Sequence, residues 1–220
     1  MSAAVACMAT ADMWRLVARL RVTTALVSNE RPRGETAALD DAMDRYARGD
    51  DAAFAIVYDG IAPRLYAFAL RRTRDRERAE DVVQQTMLHI HRARGSFTTG
   101  AEALPWAYAI ARRALIDQHR RGSREVLVSD DDAMAHDLVA SLDAPADDVA
   151  AARELAARIQ VELDKLPETQ RVAFELIKQE GLSVREAAQA LGTTVAAVKL
   201  RAHRAYEALR QALALPRRAP

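Results

Sequence analysis

Apolar residues recur at helical spacing along most of the chain from Ala52 onward, and no segment sustains an alternation of β-branched residues. Phe54, Val57, Ile61, Leu65, Phe68 and Ala69 fall on one side of a helix from Ala52 to Arg72, with Pro63 placed to kink or divide it. Asp75 suits the cap of a second helix reaching about Ala93, whose apolar stripe is Ala79, Val82, Val83, Thr86, Met87 and Ile90. Gly95 to Ala103 interrupts the pattern with two glycines and two threonines. Pro105 then fits the first turn of a third helix, with Trp106, Ile110, Ala111, Ala114 and Leu115 as its core face and Gly122 behind its end near Arg121. A second helical set begins near Arg153, breaks at Leu166-Pro167 and continues through Arg171–Gln179.

The densest pattern is SVREAAQALGTTVAAVKLRAHR, Ser183 to Arg204. Ser183 and Glu186 form an S-x-x-E capping box, which satisfies orphan amides at a helix start. Val184, Ala187, Ala188 and Leu191 share one face, Gly192 suits the left-handed residue that ends a helix, and Thr193 or Thr194 can cap the next. In that next helix Val195, Val198, Ala202, Ala205 and Leu209 are expected to face inward. Lys199, Arg201, His203, Arg204 and Arg210 fall mostly on the other faces. A short helix, a tight turn and a cation-rich second helix make the geometry that reads a DNA major groove. Two core helices with a solvated charged face remain the plain alternative.

Abundant Ala with few Gly and Pro favours helix, and an all-α protein of two small helical domains follows. The net charge of +1 conceals segregation. Residues 43–122 carry 14 Arg/Lys against 10 Asp/Glu, 123–152 one against eight, and 153–220 12 against eight. Two mildly basic blocks joined by an acidic, flexible linker suit two domains that face nucleic acid. The expected division is an unpatterned, disordered extension over 1–42, a domain over 43–122 opened by Met43, the linker over 123–152, and a second domain over 153–215. A lone cysteine, Cys7, offers no internal disulfide and fits a reducing cytoplasm. Arg15, Arg19 and Arg21 interrupt Met13–Val27 where a signal peptide needs an unbroken apolar core, and no run of eighteen apolar residues occurs.

No catalytic constellation emerges. His89 and His91 stand two residues apart, on different faces of a helix, and no Cys or carboxylate set completes a metal site. There is no phosphate-cradling glycine loop and no G-x-S-x-G, so binding is the expected function, without cofactor, metal or small-molecule substrate. Two features of the first domain go beyond packing. The helix Arg78–Arg94 sets a polar face of Glu80, Asp81, Gln84 and Gln85 beside its apolar stripe. The loop Ser96–Ala103 precedes Trp106, Tyr108, Arg112, Arg113, His119, Arg120 and Arg121, and aromatics with arginines near a flexible loop suit unstacked bases. Trp106 taken alone reads as core.

These residues carry a resemblance. RAEDVVQQTMLHIHRAR (Arg78–Arg94) resembles region 2.2 of bacterial sigma-70 factors of the extracytoplasmic function (ECF) group. FTTGAEALPWAYAIARRALIDQHRR (Phe97–Arg121) resembles their regions 2.3 and 2.4, and Leu166–Arg210 resembles region 4. The resemblance implies a sigma factor that binds core RNA polymerase at the β′ clamp helices and β flap, recognises the −35 and −10 elements and helps open the duplex. It assigns polymerase contact to Glu80, Asp81, Gln84, Gln85 and His91, although many relatives have Glu and Trp where Gln85 and His91 stand. It assigns the −10 element to Ser96, Phe97, Thr98, Thr99, Trp106, Arg112, Arg113, His119 and Arg120, and the −35 element to Thr194, Lys199, Arg201, His203 and Arg204. It further implies a linker threaded through the polymerase cleft, either mimicking a nucleic-acid backbone or serving as a plain tether. VKLRAHRAY (Val198–Tyr206) resembles a subgroup paired with membrane-embedded anti-sigma factors, which implies a stress-response regulon and a cytoplasmic protein held at the inner membrane. Two rivals stay open: a helix-turn-helix regulator acting without polymerase, and a sigma-like scaffold that sequesters an anti-sigma factor.

Overall fold

A computed structural model of the chain describes residues 33–125 and 146–213, with side chains from 36 to 120 and from 154 to 213. Residues 1–32, with Cys7 and Met13–Val27, lie outside the described residues, as does the stretch 126–145 of the expected linker. Among the described residues every regular element is a helix. The chain divides into two compact units.

The first unit contains α1 (Arg33–Ala47), α2 (Phe54–Thr73), α3 (Arg76–Ala93) and α4 (Ala103–Glu125). Single 3-10 turns, Asp51–Ala53 and Arg94–Ser96, precede α2 and follow α3. In α3 the buried residues are Ala79, Val82, Val83, Thr86, Met87 and Ile90, the stripe its spacing predicts, and Asp75 caps its start by accepting from the Arg78 amide at 3.1 Å. Thr86 buries its hydroxyl harmlessly, donating to the Val82 carbonyl within the same helix at 2.6 Å. Pro63 neither divides nor ends α2. Both Pro63 and Asp59 are exposed, so the carbonyl that loses its donor lies on the solvated side of the helix. By length and composition, Asp51–Thr73 is apolar enough to cross a membrane. Here its buried stripe of Val57, Ile61, Ala62, Leu65, Phe68 and Ala69 packs with α1, α3 and α4. Phe68 meets Tyr108 of α4 edge-on, with centroids 5.4 Å apart.

Three boundaries differ from the sequence reading. Helix is already present ahead of Met43, in α1 (Arg33–Ala47): Leu39 and Ala42 are buried, and Leu39 lies against the bare backbone of Gly60 in α2. The polar residues Asp40, Asp41 and Asp44 mask this helix in the sequence. At the other end, α4 runs through Gly122 to Glu125, and a helix already spans Ala146–Asp164, ahead of Arg153, so helix intrudes on both ends of the expected linker.

That second unit contains α5 (Ala146–Asp164), α6 (Glu168–Lys178), α7 (Val184–Leu191) and α8 (Val195–Ala212). Its core joins Leu163, Phe174, Ala205 and Leu209, flanked by Ile159 and Leu166. Arg171 donates to Asp164 at 3.1 Å across the Leu166-Pro167 break, tying α6 to the end of α5. Burying these side chains removes apolar surface at roughly 25 cal/mol per Å2, and it is this gain that holds helices too short to persist alone.

Candidate nucleic-acid interface

The turn between α7 and α8 is built by local chemistry. Glu186 reaches back to the Ser183 amide while the Ser183 hydroxyl accepts from the Glu186 amide at 3.1 Å, a reciprocal capping box. Gly192 takes φ +59°, the left-handed region in which a Cβ is costly. Thr194 then caps α8, its hydroxyl accepting from the Ala197 amide at 3.2 Å. Lys199, His203 and Arg204 are exposed on α8, whereas Arg201 is half-buried and off their line. Arg210 is held by Glu207 at 2.9 Å. Val195 corrects the inward assignment: it is 41% exposed, and Leu200, about 140° further round the helix, is 49% exposed. At 100° per residue Val195 stands roughly 50° from the centre of the α8 stripe, at its edge, where the first turn overhangs solvent. The outer face of α8 therefore sets one apolar side chain, Leu200, among its cations, a combination that suits phosphates together with a thymine methyl group.

On α3, Glu80, Asp81 and Gln84 are exposed, and Leu88, which the pattern did not single out, continues their line at 46% exposure. Gln85 is half-buried. His91 is exposed, yet its Nδ1 is hydrogen-bonded to the hydroxyl of Tyr46, a fully buried residue of α1. Arg94 lies 4.9 Å above the Tyr46 ring and pairs with Asp51 at 2.6 Å. The end of α3 is thus fixed to the rest of the unit.

Between α3 and α4 the chain makes a braced loop. Ser96 donates to the Ala93 carbonyl at 2.7 Å, and the Ala101 amide donates to the Thr98 carbonyl at 2.9 Å. Thr98, Thr99 and Gly100 are exposed at the tip. Phe97 departs from its expected role at the DNA surface: it is buried, and its ring packs on Trp106 at 5.1 Å. Burying an aromatic ring is favoured over leaving it in water, and here the ring anchors the loop to α4 through Trp106. Trp106 is half-buried, neither wholly core nor free. Tyr108 is 1% exposed and leaves the set of base-stacking candidates. Along α4, Arg113, His119 and Arg120 are exposed and Arg112 half-buried, while Gln118 donates to the Arg78 carbonyl at 3.0 Å and aligns α4 with the start of α3. The loop is also held from α1, where Asp44 accepts from the Gly100 amide and Asp40 from the Ala103 amide. Neither residue belongs to the set read from the sequence. Among the described residues no group of three or more His, Cys, Asp or Glu side chains could hold a metal.

Comparison with known proteins follows these two units. Residues 57–125 match the Sigma-70 region 2 family and residues 156–209 the Sigma-70, region 4 family. The chain is 34% identical over 171 residues to the RNA polymerase sigma factor CarQ of Myxococcus xanthus, covering 78% of this chain and 95% of that protein. It is 31% identical over 190 residues to the ECF RNA polymerase sigma factor SigK of Mycobacterium ulcerans, covering 83% and 97%. Among solved structures it is similar to the sigma factor RpoE of Bartonella quintana, crystallised with the anti-sigma factor NepR. The TM-score is 0.60 at 27% identity, over 74% of this chain and 98% of that one. It shares its fold with CnrH, solved with the cytosolic domain of CnrY, at a TM-score of 0.60 and 24% identity over 82% and 99%. With two family matches in chain order and relatives covered almost end to end, the chain belongs to the sigma-70 family of RNA polymerase sigma factors, in the ECF group.

Proposed function

We propose that this sigma factor binds core RNA polymerase through the exposed face of α3 and reads promoter DNA at two separate places. Glu80, Asp81 and Gln84, continued by Leu88, form the polymerase face, with Gln85 and His91 at its margin. The loop tip, Ser96, Thr98 and Thr99, receives an unstacked base of the −10 element beside Trp106. Flipping a base costs a few kcal/mol, which stacking and hydrogen bonds in such a pocket offset. Arg112, Arg113, His119 and Arg120 meet phosphates near the melted junction, and α8 meets the −35 duplex through Lys199, His203 and Arg204, with Arg201 at the side and Thr194 near phosphate. The carrying observation is the capped helix-turn-helix whose second helix turns three cations outward, in one chain with a braced polar loop on a separate helical unit. The RpoE–NepR complex supports an anti-sigma factor as a further partner, with the protein working in the cytoplasm and held at the inner membrane when that partner is membrane-embedded.

Run-off transcription with purified core polymerase and the promoter upstream of the protein's own gene tests the reading. Specific transcripts are expected, and Lys199→Ala with Arg204→Ala should abolish promoter selectivity while leaving core binding intact. Absence of core binding would sink the sigma reading in favour of a polymerase-independent regulator. Core binding without specific transcripts would favour a scaffold.

A further inference from the structure

The four acidic side chains at the C-terminal half of α1 divide by use. Asp41 and Asp50, the latter just beyond the helix, pair with Arg45 at 3.2 Å each. Asp40 and Asp44 instead address backbone amides of the α3–α4 loop. The Gly100 amide lies 3.1 Å from both carboxylate oxygens of Asp44, across 56 residues of sequence. The Ala103 amide donates to Asp40 at 2.8 Å, across 63 residues. Asp40 and Asp44 are four apart on one helix and so present their carboxylates along one face. Ala103 is the first residue of α4, and its amide is one of the orphan donors of a helix start. A carboxylate there also meets the positive end of the helix dipole. Gly100 takes φ +77°, open to Gly at little cost, and its amide is held by Asp44 in that conformation.

Charge makes the placement informative. A carboxylate beside a loop that receives nucleic acid repels phosphate, so these two groups work against the nearby arginines unless they act on the loop itself. Charge-assisted bonds from carboxylate to amide are stronger and more directional than neutral ones. Two of them, spaced three residues apart along the loop, hold Thr98 and Thr99 at the tip. An incoming base then meets hydroxyls already in place, and the ordering cost of binding falls.

We propose that Asp40 and Asp44 are positioning residues for −10 recognition: α1 clamps the base-reading loop by its backbone and pre-sets its tip. This rests on the assignment of the loop to the −10 element. Two readouts keep the clamp and that assignment apart. Amide hydrogen exchange in the free full-length protein reads the clamp without DNA: Gly100 should exchange faster in Asp44→Ala and Ala103 faster in Asp40→Ala, with Asp41→Ala as the control that changes neither. Unchanged exchange would overturn the clamp. Holoenzyme reconstituted with core polymerase is then presented with a pool of single-stranded DNA 12-mers randomised at six positions, and with a randomised duplex pool. Both alanine variants should lose about tenfold of sequence enrichment on single strands, the value of one charge-assisted bond. Core affinity and enrichment at the −35 positions of the duplex pool should hold. Asp44→Asn, which keeps an acceptor for Gly100, should restore most of the loss. Enrichment retained in both alanine variants, or lost to the same degree in Asp41→Ala, overturns the proposal. If the natural sequence enriches nothing from the single-stranded pool while exchange responds as expected, the clamp exists but serves no base recognition, and the −10 assignment falls with the proposal.

Discussion

Gly192 shows how much a single residue decides in the helix-turn-helix. Its φ of +59° lets the chain reverse between α7 and α8, and a Cβ built there meets nothing within 4 Å. Any penalty for a side chain is therefore conformational and not steric. Gly192→Ala should lower stability by about 1 kcal/mol in urea unfolding, and Gly192→Asn by less, because Asn tolerates the left-handed region. The capping box and the Thr194 cap are equally local, and all three were legible because donor and acceptor lie within three residues of each other. The bonds from Asp40 and Asp44 belong to the opposite case. Nothing in a segment around Asp40 indicates that its partner is Ala103, since only the packing of α1 beside the α3–α4 loop brings them together. Phe97 and Tyr108 teach a similar lesson. An aromatic near arginines fits a stacking surface or a core equally well in sequence, and burial assigned both to the core.

Among the elements, α3 was read almost whole. Its six buried positions follow the helical period because a single broad interface, with α2 and α4, covers one side of it. The opposite side is legible only in part: the pattern marks Glu80, Asp81, Gln84 and Gln85 as polar and does not single out Leu88. Leu88 is 46% exposed among polar neighbours, and on the proposed polymerase face it would serve as the apolar contact. Leu88→Arg should weaken core polymerase affinity by about tenfold, a cost usual for a buried interface anchor, without moving the thermal midpoint. Binding assays with core polymerase alongside thermal scans check both halves. At α1 the failure of the pattern is physical. A helix with three aspartates between Leu39 and Arg45 has a narrow apolar stripe, and its contribution rests on Leu39, Ala42, Met43 and Tyr46 fitting against the neighbouring helices.

For the whole molecule the governing quantity is the segregation of charge. A net +1 would predict weak attraction to DNA, but the two helical blocks are basic and the excess of acid is confined to the stretch between them. Binding to promoter DNA should therefore depend on salt as a multi-cation interaction, with log Kobs falling linearly against log salt concentration. Lys199→Ala should reduce the magnitude of that slope by about 1 if it contacts phosphate. A salt titration of holoenzyme on promoter duplex measures it. A slope unchanged by the substitution would remove Lys199 from the phosphate-contacting set.

The all-α class, the division into two helical units, the cap of α3 and the Gly192 turn were determined by the sequence itself, and the cap of α8 was narrowed to Thr193 or Thr194, because each rests on period, propensity or bonds between near neighbours. So were the motifs that mark the sigma-70 family. Tertiary structure alone decided that helix stands ahead of Met43, that Phe97 and Tyr108 turn inward and Val195, Leu200 and Leu88 outward, and that α1 clamps the loop. Burial and long-range hydrogen bonds are properties of which surfaces meet, and residues distant in sequence acquire them only once the helices have packed.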